Sequence, residues 1–235
     1  MKQTSNKQAT ERREFIKHVA TGAAALSMTM LASPLKLSAE QHNHEPSPGD
    51  ADEWFNQLDK KGKHRIVFDV VKPNGVMPFA WPKVFQLTNV STGAAEKDLG
   101  LVVILRHEGI PFAMGNQLWE KYKFGEMFKV DDPKTQKPSV RNMFWQPAPG
   151  DFKVPGIGEV EIGVNQLQDH GVMFCVCNMA LMVLSAEAAQ SMNMDATAVY
   201  NEWKAGVLPG IQVVPSGVWA VGRAQEHGCA YCYAS

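Results

Sequence analysis

The feature that most constrains the fold is the run at residues 99–105, Leu-Gly-Leu-Val-Val-Ile-Leu. Every position is apolar or glycine, so the run lacks the alternation of a strand that has one face in water. A strand of this kind is covered on both faces, which is typical of a parallel sheet with helices on both sides. The run therefore predicts an α/β domain whose central strand ends at the polar residues Arg106, His107 and Glu108.

Strand-like and helix-like segments alternate along the rest of the chain. The pattern predicts strands at 64–71, 172–176 and 211–214, and helices at 79–90, 114–128, near Leu167, from 179, at 195–204 and at 217–225. Alternation of this kind implies parallel pairing with right-handed crossovers, and so a layered α/β sandwich. A length of 235 residues, 45% of them hydrophobic and 20% charged, suits one sizeable globular domain.

The first 39 residues have the order of an export signal. Residues 11–17, Glu-Arg-Arg-Glu-Phe-Ile-Lys, resemble the twin-arginine signal, and an apolar stretch follows at 19–32. That stretch is shorter than the roughly 20 residues that span a bilayer. We therefore expect a twin-arginine signal peptide over 1–39, a periplasmic location and no stable membrane span once the signal is removed.

Two further segments are predicted to lack regular structure. Residues 40–62 are polar and contain prolines, so we expect a linker there and a folded domain over 63–235. Residues 129–158 are rich in proline and predict a long loop insertion, typical of a lid or subunit contact, with Phe144 and Trp145 as its anchors. A net charge of −1 gives no sign of nucleic acid as a partner.

Cys177 occupies a position that favours sulfur chemistry. It lies where the predicted strand 172–176 passes into a helix, with Asn178 as the expected N-cap. Backbone N–H groups and the helix dipole at such a position favour a thiolate. The alternation of a strand places Cys175 on the same face and deeper. The competing interpretation is that both thiols pack as small hydrophobes, which is the common fate of free cysteine.

Polar residues follow all four predicted strands. They are Asn74, His107, Glu108, Cys177, Asn178 and Ser216. If the strands are parallel, these residues share one edge of the sheet, where sites form in open α/β folds. The sequence contains no phosphate-binding glycine loop, dinucleotide fingerprint, catalytic triad or paired carboxylates, which disfavours kinase, dehydrogenase and hydrolase activities.

The C-terminal tail is a second candidate for chemistry. Cys229 and Cys232 form a Cys-x-x-Cys pair, with His227 two residues upstream. In an oxidising periplasm a disulfide or redox pair is the first interpretation. The alternatives are unpaired thiols, and a thiolate-bound metal, zinc or copper, held by the four cysteines, Cys175 among them, together with His107 or His227.

Taken together, these motifs resemble the DsrE-like family over residues 64–233. The resemblance rests on His-Glu-Gly at 107–109, Cys-Asn-Met at 177–179, Val-Val-Pro-Ser-Gly-Val at 213–218 and Gln-Glu-His-Gly at 225–228 before an aromatic tail. It implies a three-layer α/β/α sandwich with a mainly parallel sheet, a homo-oligomer, and sulfur relay as a cysteine persulfide. Cys177 matches the cysteine that many relatives have at the end of the third strand.

Two functions follow as hypotheses. In the first, the protein is an exported sulfur carrier or sulfurtransferase that exchanges sulfur with a donor or acceptor protein. Cys177 is then the nucleophile, His107 its proton partner, and the backbone amides at Asn178 and Ser216 hold the anion. In the second, the domain is a noncatalytic periplasmic module that binds a metal or small ligand. Asn74 and Glu108 are ligand-binding candidates in either case.

Overall fold

The structure is a computed structural model that describes residues 48–154 and 156–235. The predicted signal peptide over 1–39, and the part of the predicted linker before residue 48, lie outside the described residues. Among the described residues, no helix is both long and apolar enough to cross a membrane.

A five-stranded parallel sheet forms the centre of the domain. The strands of the central sheet and of two small ribbons are numbered together in chain order: β1 (Arg65–Val70), β2 (Gly100–Leu105), β3 (Asp131–Asp132), β4 (Lys137–Pro138), β5 (Lys153–Val154), β6 (Gly158–Glu159), β7 (Met173–Cys177), β8 (Ile211–Val214) and β9 (Ala230–Tyr233). The central sheet has the order β8-β7-β2-β1-β9, and every pair in it is parallel. β2 lies in the middle and all six of its residues are buried, as its apolar run predicts.

Helices cover both faces of this sheet. They are α1 (Pro48–Phe55), α2 (Met77–Ser91), α3 (Asn116–Lys121), α4 (Phe124–Met127), α5 (Val164–Asp169), α6 (Asn178–Met192), α7 (Ala196–Ala205) and α8 (Gly217–Glu226), with 3₁₀ helices at Asn56–Lys60, Glu96–Asp98 and His107–Ala113. Buried residues of α1 and α8 share one apolar cluster with one face of the strands. Those of α2 to α7 join a larger cluster on the other face. The predicted three-layer α/β/α sandwich is thus confirmed.

The folded domain begins earlier than predicted. Residues 48–60 were assigned to a linker, but they form α1 and a 3₁₀ helix. Phe55 and Leu58 are fully buried in the smaller cluster. Burial of two large side chains is worth roughly 3–6 kcal/mol of transfer free energy, enough to hold this short helix against the sheet. The linker prediction is therefore wrong for this part of 40–62.

The segment 129–158 contains little regular structure, as expected. The short strand β3 pairs with β4, and β5 with β6, each in an antiparallel ribbon of two residues. Phe144 is fully buried and stacks on Phe79, with ring centroids 4.1 Å apart, and on Phe152 at 5.2 Å. Phe144 is therefore an anchor, whereas Trp145 is only partly buried. The segment packs on the domain through aromatic rings rather than through the sheet.

The helix predicted over 114–128 is divided into α3 and α4. Lys123 separates them with a φ of 51°, in the left-handed region that ends a helix. Tyr122 and Phe124 on either side are buried in the larger cluster. The break lets both rings pack inward, which a continuous helix of this sequence does not allow.

The C-terminal tail forms the edge strand β9, which the sequence did not predict. It pairs in parallel with β1, Ile66 opposite Ala230 and Asp69 opposite Tyr233. The strand is short, and Tyr231 and Tyr233 are about half exposed, so it lacks the apolar pattern of the inner strands. β9 nevertheless adds the fifth strand; it contains Cys232, and Cys229 directly precedes it.

Candidate functional site

The carboxyl ends of three neighbouring strands meet at one edge of the sheet. Because β8, β7 and β2 are adjacent and parallel, Ser216, Cys177 and His107 come together there. The strand β1 ends one position further along, so Asn74 belongs to the same edge but to a different part of it. Parallel pairing confirms the predicted convergence of the strand ends, and the strand order decides which residues share a cavity.

An open cavity of about 320 Å³ lies at this edge, between the N-termini of α6 and α8. Its polar and charged lining consists of Arg106, His107, Cys177, Glu187 and Ser216, together with Gly217. Apolar side chains of α6 and α8 complete the wall: Met179, Ala180, Val183, Leu184 and Val218. The cavity thus brings a thiol, a guanidinium and an imidazole into one small, mostly apolar space.

Cys177 is the N-cap of α6. Its Sγ accepts a hydrogen bond from the backbone N–H of Ala180 at 3.3 Å, and the residue is 6% exposed. The hydrogen bond holds the sulfur at the N-terminus of α6, beside the backbone N–H groups of its first turn. The predicted helix start is confirmed within one residue, but the expected cap, Asn178, is wrong.

Asn178 has a different role from the one predicted. It is the first residue of α6, and its Oδ1 accepts a hydrogen bond from the hydroxyl of Tyr200 on α7 at 2.8 Å. Its side chain therefore joins two helices and does not line the cavity. The structure places this residue beside the site as support for α6.

Cys175 is separated from the cavity. It is fully buried in the cluster that α1 and α8 form with the sheet, whereas Cys177 belongs to the larger cluster. Burial raises the pKa of Cys175 far above that of an ordinary thiol. The predicted placement of both thiols on one face of the strand is wrong, because Cys177 turns back toward the N–H groups of its helix and joins the cluster on the other face. Cys175 is a core residue.

Arg106 is held at the cavity by a buried carboxylate that the sequence did not point to. Its Nε donates to Asp69 Oδ1 at 2.7 Å and its Nη2 to Oδ2 at 2.8 Å. Asp69 lies on β1 and is 1% exposed; the hydroxyl of Tyr231 on β9 also donates to its Oδ2 at 2.8 Å. The available signal was a single acidic residue inside an otherwise apolar strand, Ile-Val-Phe-Asp-Val. Buried charges of this kind are normally paired.

Gly217 allows Arg106 to pack against the start of α8. A Cβ built on Gly217 would lie 2.5 Å from the Cβ of Arg106 and 2.7 Å from its Cδ. Both distances are shorter than real carbon contacts, so any larger residue here would displace the arginine. The glycine that opens α8 is therefore part of the site.

The remaining predicted residues of this edge divide into two groups. His107 is exposed, lines the cavity, and has a φ of 49° where the chain turns after β2. Ser216 lines it too, but its Oγ caps α8 by accepting from the N–H of Trp219 at 3.2 Å. Asn74 and Glu108 are exposed and lie outside the lining of the cavity. The structure therefore brings His107, Cys177 and Ser216 together and leaves the other two apart.

Cys229 and Cys232 cannot form the predicted disulfide in this fold. Cys229 directly precedes β9 and Cys232 lies within it, so their Cα atoms are about 10 Å apart along an extended chain. A disulfide needs less than about 7 Å. Their odd spacing also puts them on opposite faces, and Cys229 belongs to the smaller cluster while Cys232 packs against the larger one. All four cysteines of the described residues are free thiols.

His227 lies at the opposite end of the sheet from Cys177. It ends α8, its Nδ1 is 2.8 Å from Asp59 Oδ1, and its ring stacks on Phe55. These contacts fasten α1 and the first 3₁₀ helix to the sheet. The contacts with Asp59 and Phe55 give His227 a structural role that does not involve a metal.

The predicted metal ligands are not brought together. Cys175 and Cys229 lie in the smaller cluster, Cys232 packs on the other face, and His227 is partly buried against Phe55 and Asp59. Within residues 48–154 and 156–235, no group of three or more His, Cys, Asp or Glu side chains is close enough to hold one ion. These residues do not fit a zinc or copper site.

A larger cavity, of about 480 Å³, lies between α2 and the segment 129–158. Its charged lining residues have partners: Lys83 lies 3.6 Å from Glu161, and Glu159 lies 3.5 Å from Lys153. No thiol lines it. The smaller cavity at the carboxyl ends of the strands is therefore the better candidate site.

Comparison with known proteins adds little about function. No family model matches the chain. No curated protein matches it either. Among solved structures, the chain is similar to a protein of unknown function, MTH1491, from Methanobacterium thermoautotrophicum. The two are 17% identical, the match covers 72% of this chain and 98% of the other, and the TM-score is 0.36.

Proposed function

We propose that the protein is a thiol-dependent carrier of sulfane sulfur, with Cys177 as the residue that takes up the sulfur. The observation that carries the proposal is the cavity, because it places the capped sulfur of Cys177 beside Arg106 and His107. A cation and a helix N-terminus both favour the thiolate, which is the nucleophilic form. The resemblance to the DsrE-like family supports the same function.

The chemistry needs no group beyond the donor. The Cys177 thiolate attacks the terminal sulfur of a donor persulfide, R–S–SH. The new Cys177 S–S bond forms as the donor S–S bond breaks, and the electron pair leaves with the donor thiolate. The reverse reaction with an acceptor thiol delivers the sulfur. Nothing is oxidised overall, and a donor or acceptor protein with a persulfide or thiol completes the cycle.

The other cavity residues have supporting roles in this proposal. His107 exchanges the proton of the incoming or leaving thiol at the exposed rim. The backbone N–H groups at the start of α8, beside Ser216, stabilise negative charge on the terminal sulfur. Asn178, by joining α6 to α7, keeps the helix that presents Cys177 in place.

The test is uptake of sulfur at a defined residue. The full chain is reduced, incubated with glutathione persulfide, and read by intact and peptide mass spectrometry for a gain of one sulfur atom. We expect the added sulfur on Cys177 and its loss in Cys177→Ser, with Cys229→Ser as a matched control that retains it. Sulfur on the other cysteines alone would overturn the proposal.

The low exposure of Cys177 favours a second candidate, a noncatalytic module that binds a small ligand in the same cavity. Cys177→Ser separates the two. A binding module keeps its ligand when the sulfur is replaced by oxygen, whereas a carrier loses its function completely.

The proposal also includes export to the periplasm through the twin-arginine pathway. The support is the Arg12-Arg13 motif and the short apolar stretch that follows it. Replacing both arginines with lysine should leave the protein in the cytoplasm. Undiminished periplasmic delivery of that variant would contradict this part of the proposal.

A further inference from the structure

Arg106 has donors that its partner does not use. A guanidinium carries five N–H groups in a fixed plane. Two of them, on Nε and Nη2, are directed at the two oxygens of Asp69. The side chain is 26% exposed and lines the Cys177 cavity, while Asp69 behind it is 1% exposed. The carboxylate is thus covered by protein, and the outer part of the guanidinium faces the cavity.

The partner carboxylate is itself fixed in position. It lies within β1, in the interior of the sheet, and accepts a third hydrogen bond from Tyr231 on β9. Gly217 supports the arginine from the side of α8. Two parallel N–H···O bonds to a rigid carboxylate allow one orientation of the guanidinium plane. Asp69 and Gly217 therefore hold the Arg106 side chain in one orientation at the mouth of the cavity.

We propose that Asp69 is a positioning residue that holds Arg106 toward Cys177, and that the cavity consequently selects small anionic ligands, such as sulfur donors that carry a carboxylate. The second half of this proposal rests on the proposed function, whereas the orientation of Arg106 does not. The pKa of Arg106 is raised, first by its hydrogen bond to Asp69 and in smaller part by the negative form of Cys177, which fits a thiol close to the guanidinium.

Other charged groups near the cavity make the test informative. Glu187 lines the cavity and opposes anions, and His107 at the rim favours them only when protonated. The ion pair of Arg106 and Asp69 has no net charge. If Asp69 acted only through its charge, its removal would make the cavity more attractive to anions. If it acts by positioning, its removal frees Arg106 and makes the cavity less attractive.

The experiment compares two alkylating reagents of similar size at Cys177 in the full chain. Iodoacetate is an anion and iodoacetamide is neutral, and peptide mass spectrometry gives the labelling rate of Cys177 with each. We expect the ratio of the iodoacetate rate to the iodoacetamide rate to fall about threefold to fivefold in Arg106→Gln, as for a partly exposed charge pair. A similar fall is expected in Asp69→Asn, despite the loss of a negative charge. A ratio in folded Asp69→Asn equal to or above the wild-type value would overturn the proposal.

Two further variants guard against misfolding. Arg106→Lys retains the charge but cannot form two parallel bonds to Asp69, so its ratio should fall toward that of Arg106→Gln. A wild-type ratio in this variant would equally overturn the positioning role. The matched control is the distant pair in which Arg141 Nε donates to Asp132 Oδ2 at 3.0 Å. Asp132→Asn should leave the ratio unchanged.

The outcomes for function and for positioning are separable. The wild-type protein could take up no sulfur from glutathione persulfide while the variants show the expected ratios of iodoacetate to iodoacetamide labelling. In that case Asp69 positions Arg106 and the cavity selects anions, but the protein is not a sulfur carrier. Conversely, Cys177 could take up sulfur while the ratio of iodoacetate to iodoacetamide labelling is the same in the wild type and in every variant. In that case the protein is a sulfur carrier and Asp69 has no positioning role.

Discussion

Each end of the parallel sheet has an arginine near a cysteine, but the two arginines are bound in different ways. At the amino end, Arg65 donates from Nε to Gly62 O at 2.9 Å, from Nη1 to His227 O at 2.8 Å and from Nη2 to Lys61 O at 2.8 Å. Its charge acts on Cys229, which is buried beside it. These bonds join the residues just before β1 to the end of α8.

At the carboxyl end, Arg106 is bound by a single side chain. Asp69 takes two of its N–H groups, and the remainder of the guanidinium borders a cavity that contains Cys177. The difference shows that an arginine near a thiol is informative only when its hydrogen bonds are counted. Arg65 uses its N–H groups to join chain segments to each other, whereas Arg106 keeps N–H groups at the cavity that a ligand can reach.

The largest expected difference between the two ends is in thiol reactivity. Burial raises the pKa of Cys229 to about 11, against an ordinary value of 9.0, although Arg65 opposes the shift. At pH 7.5 this lowers its thiolate fraction about 100-fold relative to an unperturbed thiol. We expect iodoacetamide to label Cys177, which lines an open cavity, faster than Cys229, and the rate at Cys229 to rise about tenfold per pH unit up to pH 11.

The buried Cys175 provides the internal standard for this measurement. It should be labelled only as fast as the whole domain unfolds, at every pH. Equal labelling of Cys177 and Cys229 in the native protein would remove the distinction between the two ends.

The second comparison is the stability cost of losing each arginine. Arg106→Gln leaves the buried Asp69 carboxylate without its cation, and breaking such a pair costs about 3 kcal/mol. Arg65→Gln leaves three backbone carbonyls to find other donors, at a cost of about 2 kcal/mol. Urea unfolding of both variants gives the two free energies of unfolding.

Lys153→Gln is the control for general surface effects, since Lys153 and Glu159 form an exposed pair, and it should change stability by less than about 0.5 kcal/mol. If Arg106→Gln were as harmless as this control, the Asp69 carboxylate would not depend on the charge of Arg106, and the site as described would be wrong.

The third comparison uses the pH dependence of stability at the amino end. Because folding raises the pKa of Cys229, the folded state favours the protonated thiol. Its contribution is complete below pH 9, where the unfolded thiol is also protonated, and falls by up to about 2 kcal/mol between pH 9 and pH 11. In Cys229→Ala this contribution is absent. The gap in unfolding free energy between wild type and variant should therefore shrink over that interval, and a constant gap would contradict the pKa shift.

The sequence predicted the inner part of the fold well because that part follows from local patterns. The strands β1, β2, β7 and β8 each have a run of apolar residues. Two of the predicted helices, α7 and α8, follow N-cap residues of the usual types, Asp195 and Ser216, whose side chains accept hydrogen bonds from the helix backbone. The edge strand β9 was not predicted because three of its four residues are exposed and because the Cys-x-x-Cys spacing of Cys229 and Cys232 suggested a disulfide. The helix α1 was not predicted because its proline, its glycine and its acidic residues resemble those of a linker.

The site was only partly predictable for a different reason. Cys177 and His107 follow strands, and that is visible in the sequence. The link between Asp69 and Arg106 depends on β1 lying beside β2, and the third bond on Tyr231 depends on β9 pairing with β1. Along the chain, Arg106 is 37 residues from Asp69 and Tyr231 is 162 residues from it. These contacts therefore follow from the order of the strands in the sheet and not from a local sequence pattern.

The smallest predicted effect tests the third bond on Asp69. In Tyr231→Phe, Asp69 keeps Arg106 but loses the hydroxyl that donates to its Oδ2, which should cost about 1 kcal/mol in urea unfolding. The pKa of Tyr231 is raised, first by burial and then by its bond to Asp69, so the hydroxyl remains a donor throughout the neutral range and this cost should be constant from pH 6 to pH 8. Tyr233→Phe is the matched control on the same strand, half exposed and with no hydroxyl bond to the site, and it should be neutral within about 0.5 kcal/mol. Equal costs for the two variants would mean that Tyr231 stabilises the edge strand by packing alone and that Asp69 needs only Arg106.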